Sequence, residues 1–203
     1  WNESAPPPAV RVQRAVVQQY GHHFNEALAD LSAATSAEPE NAEAWAWQAA
    51  IHMVRADYRA ARSACEGLAP LTSLLTATAC EAYVDSLTGS AAQAASELGD
   101  ALGLADKDTS AAERVWALTR LAEIEERRGE FVAAETAFRE ALALNVADVY
   151  LLSAYADFLL DRGRAGDVLK RLDGRGRADV LLLRLTLAAK ATNDSRAAKW
   201  ADE

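Results

Sequence analysis

From Gly129 to Leu142 the chain sets a turn residue, an aromatic two positions on (Phe131), and then Ala134, Phe138 and Ala141 at spacings of four and three. Those spacings place three apolar side chains on one face of a helix. The frame recurs at Phe24, Ala27, Leu31 and Ala34, and at Tyr58, Ala61, Cys65 and Leu68. It returns at Gly89, Ala94, Leu98 and Ala101, and at Gly163, Val168 and Leu172. The equivalent positions 27, 61, 94, 134 and 168 are separated by 34, 33, 40 and 34 residues, and the long interval contains the polar insert 105–110. Twelve residues before each of them stands another alanine: Ala15, Ala49, Ala82, Ala122 and Ala156. The pattern predicts helix pairs at 10–20 with 24–36, 42–55 with 58–68, 72–88 with 90–103, 111–128 with 131–144, and 148–162 with 165–172. A sixth first helix is expected at 178–191, and Asn193-Asp194 reads as the capping start of a closing helix.

This register resembles the tetratricopeptide repeat family, whose motif W-x2-L-G-x2-Y…A-x3-F…P has a 34-residue period. Trp45 stands where the first-helix Trp belongs, and Pro39, twelve residues after Ala27, matches the closing Pro. The helix-one Gly of the motif is Ala in every copy, and only the first copy keeps the Pro. The resemblance implies an all-α fold, a right-handed superhelical solenoid of antiparallel helix pairs. It divides the chain into 1–7, a linker or the end of a preceding segment, and repeats at about 8–41, 42–74, 75–108, 115–148 and 149–174. Residues 175–203 are then a partial sixth repeat with capping helices. Bacterial members of the family that this chain resembles often carry an export signal ahead of such repeats.

Composition supports the helical reading. The chain has 47 alanines among 203 residues, and alanine is the best helix former. A net charge of −9 gives no basic face with which to neutralise phosphates, so nucleic acid is not the expected partner. The most apolar run, Val180 to Ala189, is ten residues long and includes Arg184, whereas a membrane span needs about 20 apolar residues.

Several constellations invite a chemical reading and do not sustain it. Adjacent His22 and His23 point apart on a helix and make no metal pair. His52 stands at a position usually aromatic in the repeat and reads as packed or groove-lining. The turns Gly163-Arg164-Ala165-Gly166 and Gly174-Arg175-Gly176 follow no strand, which a phosphate-cradling loop requires, and read as helix-ending glycines. The mixed charges from Arg120 to Glu135 have the three- and four-residue spacing of a solvated helix surface. No catalytic residue, metal or cofactor is therefore expected, and the chain does not read as an enzyme.

Cys65 and Cys80 fall on neighbouring helices of a stacked array, the second helix of copy two and the first of copy three. They are either two small buried hydrophobes or a disulfide stapling the two copies. A bridge implies an oxidising compartment, which favours an exported, periplasmic setting over the cytoplasm.

In the family that the chain resembles, first helices line a concave surface that binds a peptide. By position, this groove would include Val12, Gln13, Val16, Gln19 and Tyr20 from copy one, Ala46, Trp47, Ala50 and Met53 from copy two, and Thr76, Ala79, Tyr83 and Ser86 from copy three. Trp116, Thr119, Arg120, Glu123, Arg127, Tyr150, Ser153 and Asp157 would follow from copies four and five. The Lys and Asn positions of the clamp with which some members hold a terminal carboxylate are occupied here by Val, Ala and Tyr. The apolar, aromatic surface that remains suits an apolar or amphipathic protein or peptide. The expected role is an interaction scaffold. The alternative is a structural or self-associating module of a larger assembly, with a homodimer through residues 178–203.

Overall fold

The computed structural model describes residues 6–172 and 178–201, and the described residues are all helix, turn and loop. The chain divides into two compact units, Trp1–Ala105 and Asp106–Glu203. The first holds α1 (Pro8–Tyr20), α2 (Phe24–Ala37), α3 (Ala42–Val54), α4 (Tyr58–Leu68), α5 (Leu74–Leu87) and α6 (Ala91–Leu104). The second holds α7 (Ala111–Arg127), α8 (Phe131–Ala143), α9 (Val149–Asp161), α10 (Ala165–Leu172), α11 (Asp179–Thr192) and α12 (Ala197–Ala201). Residues 173–177, with the Gly174-Arg175-Gly176 turn, lie outside the described residues. Among the described residues no helix is long and apolar enough to cross a membrane.

The small-residue register is the packing register. Ala15, Ala49, Ala82, Ala122 and Ala156, with Ala27, Ala61, Ala94, Ala134 and Val168, are each at most 2% exposed. A methyl group at these sites lets paired helices approach closely. Larger side chains beside them interlock. In the first pair Val12, Ala15, Ala27, Leu31 and Ala34 form one cluster with Ala44 and Ile51 of α3. The second unit centres on rings: Phe138 lies 5.2 Å from Tyr155 and 5.5 Å from Phe158, centroid to centroid.

The turn inside each pair is the same object five times over. Its middle residue is left-handed, with φ of 59° at His22, 58° at Ala56, 105° at Gly89, 79° at Gly129 and 69° at Gly163. The next residue's N–H then donates to a carbonyl five residues back. His23 reaches Gln18 at 2.9 Å, Asp57 reaches His52 at 2.9 Å and Ser90 reaches Asp85 at 3.0 Å. Glu130 reaches Glu125 at 2.9 Å, and Arg164 reaches Leu159 at 2.8 Å. This C-terminal closure satisfies carbonyls that a helix end leaves open. Three turns use glycine, which takes a positive φ without strain, while His22 and Ala56 hold it with a side chain.

Two local expectations are corrected here. Asn193 does not start the closing helix: it ends α11 in the left-handed conformation (φ 54°), and Asp194 N–H donates to Ala189 at 2.8 Å. Asn tolerates that conformation, so the same side chain that caps N-termini also closes C-termini. Gly166 does not end a helix but lies in the first turn of α10.

Starts are capped by side chains as the chain's Asn, Asp and Ser placements suggest. Asn41, Asp57, Ser73 and Asp148 each accept an N–H from the residue three positions on. At α7, Ser110 and Glu113 bond each other's backbone reciprocally.

Candidate functional site

The candidate surface is the one formed by the first helices of the pairs, and each unit supplies its own. In the first unit, Val16 on α1, Trp47 and Met53 on α3 and Tyr83 on α5 are half-buried, while Tyr20 is exposed. Trp47 rests against the cluster of the first pair, so its ring is part packing and part surface. Val12, Ala79 and Ser86, by contrast, are buried, and none faces a groove. A first helix packs both on its own partner and on the next pair, and at these positions the neighbour covers the side chain. Trp45 lies against Gly67 of α4, where an added Cβ would come within 2.7 Å of the indole, and its N–H donates to the Pro39 carbonyl at 2.8 Å.

His52 is half-buried, with Nδ1 3.6 Å from Asp57. Burial pushes its pKa below the usual histidine value, against the pull of Asp57. Its imidazole is a neutral packing element at pH 7. Asp30 is buried on α2 under two arginines of α1. Arg14 grips both its oxygens at 2.5 Å, and Arg11 approaches at 3.4 Å. The Arg14 guanidinium holds this carboxyl below the usual range.

In the second unit the structure brings the expected residues together. The Arg120 guanidinium lies 4.6 Å from the ring centre of Tyr150 and 5.7 Å from that of Trp116. It donates to Glu123 at 3.0 Å and to the Tyr150 hydroxyl at 2.6 Å, and that hydroxyl donates to the other Glu123 oxygen at 2.6 Å. Thus Trp116, Arg120 and Glu123 of α7 and Tyr150 of α9 form one closed array of flat rings, a cation and a carboxylate. Arg127 is exposed farther along α7. Asp157 is not part of that array. It pairs with Arg184 of α11, whose Nε donates to the Ser153 carbonyl at 3.1 Å and whose Nη1 donates to that of Val180 at 2.8 Å. Thr119 and Ser153, expected on this face, are buried. The expectations missed Arg184 as a site residue. Its signal was a lone cation inside the apolar run 180–189.

Glu126, one turn beyond Glu123, pairs with Arg162 at 3.2 Å. Burial nonetheless raises its carboxyl above the ordinary range, Arg162 opposing the shift.

Cys65 and Cys80 are brought together between α4 and α5, both buried, with Cα atoms 5.7 Å apart. That separation is the usual one for a bridged pair.

Paired antiparallel helices in a 34-residue register, with aromatic and charged side chains gathered on the first helices, define the tetratricopeptide repeat fold, and this chain has it. No family model and no curated relative matches the sequence. Solved structures do match. The chain is similar to PilW, a type IV pilus biogenesis factor, with a TM-score of 0.60 and 17% identity over 95% of this chain and 90% of that one. It is similar to a tetratricopeptide repeat protein from Parabacteroides merdae at a TM-score of 0.61 and 16% identity, over 95% and 75% of the two chains. Pseudomonas aeruginosa pilF follows at 0.56 and 18%, over 95% and 88%.

Proposed function

We propose that this chain is a non-catalytic scaffold that binds a peptide or partner protein on the face made by the first helices of its repeats. The observation that carries the reading is the array of Trp116, Arg120, Glu123 and Tyr150. Ring faces and a guanidinium are the groups most often responsible for binding energy at protein interfaces. Here hydrogen bonds already hold Arg120, Glu123 and Tyr150 in place, which lowers the entropy lost when a partner docks. Within the first unit, Tyr20, Trp47, Met53 and Tyr83 offer a more apolar surface, which suits an apolar or amphipathic segment. We further propose that Cys65 and Cys80 are bridged in the working protein, which places it in an oxidising compartment. A mass of the intact chain that rises by two daltons on reduction supports the bridge, and an unchanged mass removes it.

The groove reading is tested by selecting peptides from a displayed random library on the intact chain, then measuring them against Arg120→Ala and Tyr83→Ala. Selected peptides should lose about tenfold or more in affinity on one of the two variants, with helicity unchanged. Peptides that bind both variants as tightly as the unaltered chain overturn it. Light scattering at tens of micromolar addresses the alternative of self-association. A second reading is favoured by exposed Val180, Leu183 and Leu187, one apolar stripe along α11, and a dimer lost on Leu183→Lys would support it.

A further inference from the structure

The stacking register leaves one face of the first unit uncovered. In α3, α5 and α9 the residues five before and two after the small alanine are Ala44 and Ile51, Ala77 and Val84, and Leu151 and Phe158. All six are at most 9% exposed, because the second helix of the preceding pair lies alongside. Ala44 and Ile51 share a cluster with Leu31 and Ala34 of α2, and the Phe158 ring lies 5.5 Å from that of Phe138 on α8. About Ala15 of α1 the same two positions are Val10 and Val17, and these are 52% and 72% exposed. No described helix precedes α1. A repeat array normally ends in a polar outer face, so two branched apolar side chains at stacking positions mark a surface built to be covered.

Polar side chains at the same register say what the cover carries. In α3 and α9 the residue just before the alanine ties the covering helix down. Gln48 Nε2 donates to Thr35 Oγ1 of α2 at 3.1 Å, and the Tyr155 hydroxyl donates to Glu135 of α8 at 3.1 Å. In α1 that residue is Arg14. It directs Nε and Nη2 at Asp30, which leaves Nη1 for a further acceptor, and its side chain is half exposed. Arg11 leans on the same carboxylate at 3.4 Å, so two guanidiniums share one carboxylate, and α1 has no acidic residue of its own. A carboxylate on the incoming helix complements this charge.

We propose that α1 docks an amphipathic helix of a partner protein, with apolar side chains laid on Val10 and Val17 and a carboxylate taken by Arg14. The helix runs antiparallel to α1, as α4 runs against α5, where Arg62 meets Asp85 and Cys65 meets Cys80. On α8 the carboxylate and the apolar group stand three residues apart, as Glu135 and Phe138. A second copy fits less well: antiparallel pairing of α1 with its own copy sets Arg14 against Arg14, a like-charge contact. The site shares no residue with the proposed groove.

The test uses the full chain and a fluorescein-labelled helical peptide with a glutamate followed by leucines three and seven residues on. A hydrocarbon staple on its far side holds the helix, which is marginal in water at this length. One twin has serines for the leucines, and another has glutamine for the glutamate. By anisotropy the parent peptide should bind saturably, the serine twin about tenfold or more weaker and the glutamine twin several-fold weaker. Only the parent should weaken steeply as salt rises. Val17→Asp and Val10→Asp should each reduce binding about tenfold with the melting curve unmoved, because both side chains already face solvent. Arg120→Ala should change nothing. Absence of saturable binding, equal binding of the serine twin, or binding that survives both valine variants overturns the proposal. Loss on Arg120→Ala with both valine variants binding normally also overturns it, and places the peptide on the groove. A dimer seen by light scattering and abolished by Val17→Asp overturns it in favour of a second copy.

Discussion

Residues 1–105 carry 27 alanines and 5 Lys and Arg against 12 Asp and Glu, a net charge of −7, while residues 106–203 carry 20 alanines and 16 against 18, a net charge of −2. Both units nonetheless share one helix-pair register, the same left-handed turns and the same buried small residues. They differ in what is added. The first unit sets Cys65 and Cys80 together between α4 and α5 and buries Asp30 under Arg14 and Arg11. The second fills its centre with Phe138, Tyr155 and Phe158 and covers its surface with arginine–carboxylate pairs such as Arg162–Glu126 and Arg164–Glu135. The lesson is that the fold demands only two small positions and a turn from each pair. Additional stability and surface chemistry are then free to vary, and the arginine–carboxylate clusters collect in the unit that has the cations to build them.

The comparison breaks most visibly at the ring cluster. Phe138→Ala leaves a cavity between Tyr155 and Phe158 and should cost about 3–5 kcal/mol, read as a lower denaturant midpoint. A cost under about 1 kcal/mol would mean the rings do not hold the second unit. In the first unit the equivalent lever is the cysteine pair, 15 residues apart in sequence. Reduction, or Cys80→Ser, should cost about 3 kcal/mol, the loop-closure value for that length. A melting temperature that does not respond to reductant would remove the staple from the comparison.

Asp30 sharpens it further. Because its folded pKa is lowered, its stabilisation is complete at neutral pH and is lost as pH falls below the ordinary carboxylate range and through the lowered value. Asp30→Asn should therefore destabilise the chain at pH 7 by about 1–2 kcal/mol, since Arg14 is half exposed and the pair is partly screened. The same variant should flatten the acid limb of the stability curve, and an acid limb left unchanged would count against this pair. The smallest effect is expected at the turns. Ala56→Gly relieves a side chain held at φ 58° and should stabilise by about 0.5–1 kcal/mol. The same change at a right-handed helix position would destabilise, so the sign is the measurement.

Much of this was legible without coordinates. The alanines at 15, 49, 82, 122 and 156 and the frame at 27, 61, 94, 134 and 168 locate the helix pairs to within a few residues of the observed ends. The site was less legible. Arg120, Glu123 and Tyr150 were placed on first helices by position, but nothing in the register showed that they meet. Val12, Ala79, Thr119 and Ser153 were placed on the surface by the same reasoning and are buried. Arg184 gave no periodic signal at all.

The sequence by itself determined the pairing of helices, because periodicity, small-residue placement and turn chemistry act over a few residues and are written locally. Whether Val12 faces solvent and which arginine meets which carboxylate were decided only by the tertiary structure. Those outcomes depend on the helix that packs alongside. Its side chains come from 30 or so residues away, and no local pattern records how deeply they reach.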